Sequence, residues 1–359
     1  MNKSKLIIGL LLVAGAAVAA VLFGLTDDSA GPIDPDDLTV VSIRYGSEKK
    51  GFLHDEDVQR ILAEKYGLYI DGTKMGSLEM AEGDLSGVDG LWPSSDLAAQ
   101  VFERRQPGTH FKKHNVFNTP IVFYSWPDVT DALISAGVVE KRDNTYYVVD
   151  TVGLLTMVKE GRTWEDVGLQ GQFGTIKVHF TDPTKSNSGF LFAGLMAILF
   201  NGGDMVTDSN LMPVMKEVVA IRDRMGFLEN STGILFNKYL TQGKGAYPLV
   251  SAYENLLIEF YLTNPQYQED ISRLVRVLIP EPTVWSEHPF IALTDKGEAL
   301  LAALQDEEIL ALAWEKHGFR TGLVRDASHL EQFGLPERID SVTPLPSPEI
   351  MERLIDGLR

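Results

Sequence analysis

The chain of 359 residues contains no cysteine. That absence excludes disulfides, thiolate metal sites and a lipid-modified amino terminus, each of which needs the thiol. Basic charge is scarce: 32 Lys and Arg stand against 50 Asp and Glu, a formal net charge of −18. Nucleic acid wants a basic face and anionic lipid a polybasic patch, so neither partner is expected. The chain also has no G-x-S-x-G, no G-x-x-x-x-G-K-[ST] and no H-E-x-x-H. His110 and His114 stand at i, i+4, but in a basic segment bounded by Gly and Pro without a neighbouring carboxylate, so no metal or other cofactor is expected. The remaining histidines are scattered, and Ser188 has no base revealed beside it, so catalysis is not expected.

With 44% hydrophobic and 23% charged residues, the chain is globular and long enough for two lobes. Residues 2–5 are basic in character, and Leu6–Leu25 is apolar without a charge. About 20 such residues suffice to cross a bilayer as a helix, whereas a secretory signal has a shorter core. Ala17-Val18-Ala19 nevertheless offers a small-residue cleavage site, which would release the body as a secreted protein. The favoured reading of 1–26 is an uncleaved membrane anchor, with a cleaved signal as the alternative. Lys3 and Lys5 before the run, against Asp27 and Asp28 after it, place the amino terminus in the cytoplasm and the body outside. Residues 27–37, rich in Asp, Gly and Pro, read as a linker.

The organising stretch is Phe180–Asn201. A β-prone run, Thr175–Phe180, turns through Asp182-Pro183 into Thr184, Lys185, Ser186, Asn187, Ser188 and Gly189, then enters an unbroken apolar helix. The first N–H groups of a helix opened this way point at solvent, and the helix dipole adds positive potential. Those donors form an anion or carboxylate pocket, although one serine is enough for a plain cap. The six-residue run holds more donors than a cap needs.

Strands and helices alternate along the rest of the chain, which predicts parallel sheets covered by helices on both faces. Leu38–Tyr45 is the first strand, and Asn201-Gly202-Gly203 stops the organising helix. From Gly322 the tail reads as Pro-rich and mostly surface. Ligands of such sheets sit beyond the carboxyl ends of the strands, where polar turns converge. Four turns have that character: Gly46–Lys50, Pro93–Asp96, Thr184–Gly189 and Ser251–Asn255.

This order of elements resembles the extracellular solute-binding proteins of bacterial ABC-type importers, in their type II periplasmic-binding-protein form, and looks closest to the molybdate-like branch. The most specific piece is Asp182-Pro183-Thr184-Lys185-Ser186-Asn187-Ser188-Gly189, similar to the family's D-P-x-x-S-x-S-G helix opening. Gly46-Ser47-Glu48-Lys49, Trp92-Pro93-Ser94-Ser95 and Ser251-Ala252-Tyr253-Glu254 look like its other ligand loops. The resemblance implies a two-lobed α/β fold, each lobe a mostly parallel sheet flanked by helices, closing on a solute by hinge motion. Lobe one would hold 38–125 and return over 284–320, lobe two would hold 126–283, and 321–359 would be a tail. Expected solute contacts are Ser47, Glu48, Lys49, Ser94, Ser95, Thr184, Lys185, Ser186, Asn187, Ser188, Gly189, Tyr253 and Glu254. The partners so implied are a small polar or anionic solute and an ABC permease or other membrane complex. The rival reading is a membrane-tethered sensor or interaction protein of an envelope or stress-response complex, using the same fold without transport.

Overall fold

The computed structural model describes residues 37–321 and 328–359. The apolar run at 6–25 and most of the linker lie outside the described residues. Among the described residues no helix is long and apolar enough to cross a membrane.

Among the described residues nine strands form one mixed array in two halves. In the first half, β1 (Thr39–Tyr45) runs parallel to β2 (Leu68–Lys74) and to β3 (Gly90–Trp92). The alternation of Val41, Ile43 and Tyr45 inward with Ser42 and Arg44 less buried reflects the two-residue period of a strand. β4 (Lys112–Ser125) is the long strand shared by both halves, and the chain changes sheet within it. Its first part pairs with β9 (Trp285–Ala292), which also pairs with β3. Its last part pairs with β7 (Leu249–Tyr253) and β8 (Arg276–Pro280). β6 (Thr145–Val148) runs parallel to β8 and forms a hairpin with β5 (Val139–Arg142). The pairs around β4 and β9 are antiparallel because these strands carry the chain out of one lobe and back.

Among the described residues apolar side chains collect in three clusters. Two lie on opposite faces of the first sheet, around Trp92, Phe117 and Phe290 and around Leu91, Phe102 and Ile291. The third and largest fills the second lobe around the helix Asn187–Phe200. Every residue of that helix except Phe200 is buried, as a helix apolar on all sides must be. Gly202 and Gly203 end it with positive φ values of 74° and 89°.

Two local expectations are corrected. Thr175–Phe180 forms no regular strand; it pairs with β7 through the isolated bridge His179–Val250. The tail is not mostly surface either. Pro348–Asp356 is an amphipathic helix whose Ile350, Met351, Leu354 and Ile355 are buried in the second-lobe cluster. Ser347 caps it and Pro348 opens it, the arrangement in which proline starts a helix rather than breaking one.

Candidate functional site

Four polar turns converge where the two lobes face each other. From the first lobe come the turn Ser47–Lys49 after β1 and Ser94-Ser95 after β3. From the second come Lys185-Ser186-Asn187 and Ser231-Thr232, each opening a helix. They enclose a cavity of about 260 Å³ between the lobes. Its wall also contains Lys74, Glu79 and Asn230.

Beneath the first-lobe wall lies a closed polar network. Lys49 is wholly buried, and its ammonium reaches Glu48, Ser94 Oγ at 3.0 Å and His288 Nδ1 at 2.9 Å. Three acceptors match three ammonium protons. Burial pushes the Lys49 pKa down while the Glu48 carboxylate opposes it. Burial, with Lys49 adjacent, holds His288 well below the usual imidazole value, so it is neutral. Neutral His288 accepts at Nδ1, leaving Nε2–H to donate to Ser286 Oγ at 3.2 Å. Ser286 Oγ in turn donates to the Ser94 carbonyl at 2.5 Å. The charge of Glu48 is therefore spent inside the lobe, on Lys49 and the Ser94 hydroxyl.

The second lobe joins this network through Asn187. Asn187 donates from Nδ2 to the Ser94 carbonyl at 2.6 Å and to the Tyr253 hydroxyl at 3.0 Å. The Ser94 oxygen thus uses both lone pairs, one within its lobe and one across the cleft. Asn187 is 8% exposed, and its Oδ1 has no donor. No side chain caps the Asn187–Phe200 helix. Ser186 Oγ instead meets Thr232 Oγ1 at 3.1 Å, and Ser188 Oγ meets Thr232 Oγ1 at 2.7 Å and Thr181 Oγ1 at 2.8 Å. Gly189 packs so tightly that a Cβ would collide with the Thr181 carbonyl oxygen. These contacts aim the helix start at the cleft and leave its first N–H groups without a side-chain acceptor.

The structure brings Ser47, Glu48, Ser94, Lys185, Ser186 and Asn187 together around the cavity. Tyr253 stands behind them, its hydroxyl on Asn187 and its pKa raised well above 10 by burial. Lys49, Ser188 and Gly189 build the wall from behind, and Ser95 caps its helix through the Leu97 N–H. Thr184 lines a neighbouring cavity of about 670 Å³. Glu254 is set apart: it is buried in a bidentate pair with Arg320, at 2.7 and 2.9 Å, behind the crossover. Among the cleft residues that sequence reasoning misses are Lys74, Glu79, Asn230 and Thr232. The Gly-Thr-Lys-Met-Gly break at 72–76 and the Ser231-Thr232 helix opening are the signals that could have found them. Among the described residues no group of three or more His, Asp or Glu is arranged to hold a metal ion.

No protein-family model matches the chain, and no curated sequence matches it significantly. Solved structures do resemble it. A periplasmic thiamin-binding protein superposes with a TM-score of 0.57 at 10% identity, covering 93% of this chain and 98% of that one. The apo ferric-ion-binding protein A of Pasteurella haemolytica gives 0.55 at 12% identity, covering 89% and 95%. The periplasmic binding protein AfuA of Actinobacillus pleuropneumoniae, with fructose-6-phosphate bound, gives 0.54 at 12% identity, covering 88% and 96%. The chain has the two-lobed α/β fold of the type II periplasmic binding proteins. Nothing in these likenesses supports the molybdate-like branch over others.

Proposed function

We propose that this chain is an extracytoplasmic solute-binding protein. It captures a small polar solute between its lobes and presents it to an ABC-type importer or another membrane complex. The observation that carries this reading is Asn187: it spans the cleft to Ser94 while its Oδ1 remains buried without a donor. A buried polar atom without a partner is costly, and a solute donor entering the cleft removes that cost. In this reading 38–125 and 284–320 form lobe one and 126–283 lobe two, to which the 348–356 helix adheres. Ser47, Ser94, Lys185, Ser186 and Asn187 contact the solute, aided by the helix N–H groups. Lobe closure desolvates the solute, and the closed state is what the membrane partner recognises. The segment 1–26 holds the body outside the cytoplasm, and the protein acts by binding rather than catalysis.

The test begins with purified protein, unfolded and refolded to strip any carried-over solute. Its melting temperature is then recorded against oxyanions, amino acids, sugars, sugar phosphates and polyamines. A solute at about 100 times its Kd stabilises by about 2.7 kcal/mol, a rise of several degrees for a chain of this size. Asn187→Ala reduces that rise while the protein remains folded. Silence across the panel from a well-folded protein overturns the reading in favour of an interaction protein.

A further inference from the structure

The charges left over around the cleft define the solute more narrowly, an inference that rests on the solute-binding reading. The 260 Å³ cavity and the 670 Å³ cavity share the wall residues Ser77, Glu79, Lys185, Ser186 and Asn187, so the space at the helix start has room beyond a single ion. Glu48 and Lys49 neutralise each other within the first lobe and offer the solute no net charge. Lys74 reaches over the cleft to Ser231 Oγ at 3.3 Å. Two shared wall residues keep a free charge: Lys185 on one lobe and Glu79 on the other are exposed, and among the described residues no ion pair or side-chain hydrogen bond engages either. The Lys185 backbone and the Glu79 carboxylate flank Gly76, where a Cβ would stand 2.8 Å from the Lys185 carbonyl oxygen and 3.7 Å from Glu79 Oε2.

The cleft therefore presents two chemistries at close range. One is positive: Lys185, Lys74 and the uncapped start of a helix of 14 residues. The other is acceptor-only: the Glu79 carboxylate and the unpartnered Asn187 Oδ1, whose side chain is more than nine-tenths buried. A bare oxyanion would satisfy the first and leave the second facing a like charge. A simple polyamine would do the reverse.

We propose that the solute is a bipolar organic molecule, with a carboxylate or phosphate at the helix start and an ammonium group at Glu79 and Asn187. Discrimination then comes from the acceptor side, because a site built to accept from a donor rejects an analogue that lacks it.

The test is calorimetric titration of the refolded full chain with inorganic phosphate, putrescine and three zwitterions: phosphoethanolamine, 4-aminobutyrate and glutamate. The expected result is that one zwitterion binds at least tenfold more tightly than phosphate or putrescine. In Glu79→Gln the ratio of zwitterion to phosphate affinity falls at least tenfold, since the ammonium loses its partner while the phosphate loses a repulsion. Lys185→Gln weakens the zwitterion and phosphate together. Phosphate binding as tightly as every zwitterion, or an unchanged ratio in Glu79→Gln, overturns the bipolar assignment and leaves the solute-binding function standing. Binding of sugars alone does the same. No heat and no thermal stabilisation from any probe overturns both.

Discussion

Asn187 holds Ser94 across the cleft, its amide nitrogen 2.6 Å from a carbonyl oxygen that also serves Ser286 in its own lobe. The same backbone oxygen thus records both the folding of lobe one and the approach of lobe two. Asn187→Ala deletes that reach without disturbing the first-lobe network. One hydrogen bond contributes about 0.5–1.5 kcal/mol, so solute affinity should fall about 2–12-fold from this contact alone. Small-angle scattering should show a larger radius of gyration for the solute-free variant. An unchanged radius together with unchanged affinity would mean that this contact clamps nothing.

The Lys49 ammonium is the centre of a network with no exposed member among its charged groups. Removing one partner of a buried pair strands the other charge, at about 3–5 kcal/mol. Lys49→Met should therefore lower the melting temperature sharply, and Glu48→Gln in the same chain should recover much of the loss. Denaturant titration of the two variants measures both steps; equal stability of the single and double variants would contradict the pairing.

A second buried cluster makes stability depend on pH. His317 Nδ1 lies 2.8 Å from Glu259 of the second lobe, and Nε2 lies 3.3 Å from Asp55 of the first. Burial would lower the imidazole pKa, but hydrogen bonds and charge from the two carboxylates raise it. Burial would raise Asp55, yet His317 and Lys316 outweigh it and hold the carboxyl at about 2. The imidazolium contribution is complete below an unfolded pKa of about 6.5 and is lost as pH rises through the higher folded value. The Asp55 contribution is complete above about 3.9 and is lost as pH falls towards 2. Thermal unfolding across pH should thus show a plateau between these limits, and His317→Gln should flatten its alkaline edge.

Gly189 has no space for a methyl group against the Thr181 carbonyl. Gly189→Ala must push the helix start away from Thr181, at about 1–3 kcal/mol of overpacking strain. The expected outcome is a lower unfolding midpoint and, because the donors move with the backbone, weaker solute binding. A variant with wild-type stability and affinity would show that the helix start yields freely.

The helix Pro348–Asp356 meets the two lobes by different means. Arg104 and Arg105 of lobe one pair with Glu352 at 3.2 and 3.4 Å on an exposed surface, whereas Met351 and Leu345 press against Gly194 of lobe two. Exposed pairs are worth about 0–1 kcal/mol, while truncating a buried leucine costs about 2–5 kcal/mol. Leu354→Ala should therefore destabilise the protein far more than Arg104→Ala. The reverse order in chemical denaturation would refute this division.

Much of this architecture can be read from residue order. The donor-rich opening at Thr184–Gly189 and the all-apolar helix behind it announce themselves locally, because caps and hydrophobic runs are short-range signals. What fails to show is decided at long range. Glu48 and Lys49 read as solute contacts in a polar turn, until Ser94 and His288 close over Lys49. Glu254 reads as a cleft residue because its partner, Arg320, is remote in the chain. Glu79 is hidden because it stands in a short helix, Ser77–Glu82, that opens after Gly76 with no side-chain cap to announce it. The terminal helix is a different failure: Ile350, Met351, Leu354 and Ile355 carry a helical period that the surrounding prolines mask.

That terminal helix also bears on how the protein is made. The apolar helix Asn187–Phe200 is covered in part by Leu345 and Met351, which are synthesised long after it. Until they emerge, a strip of its surface stays open to solvent or to stray partners, and contacts so distant in sequence form slowly. The second lobe therefore finishes last, and a chain stopped short of residue 345 should depend on chaperones and aggregate where the full-length chain does not.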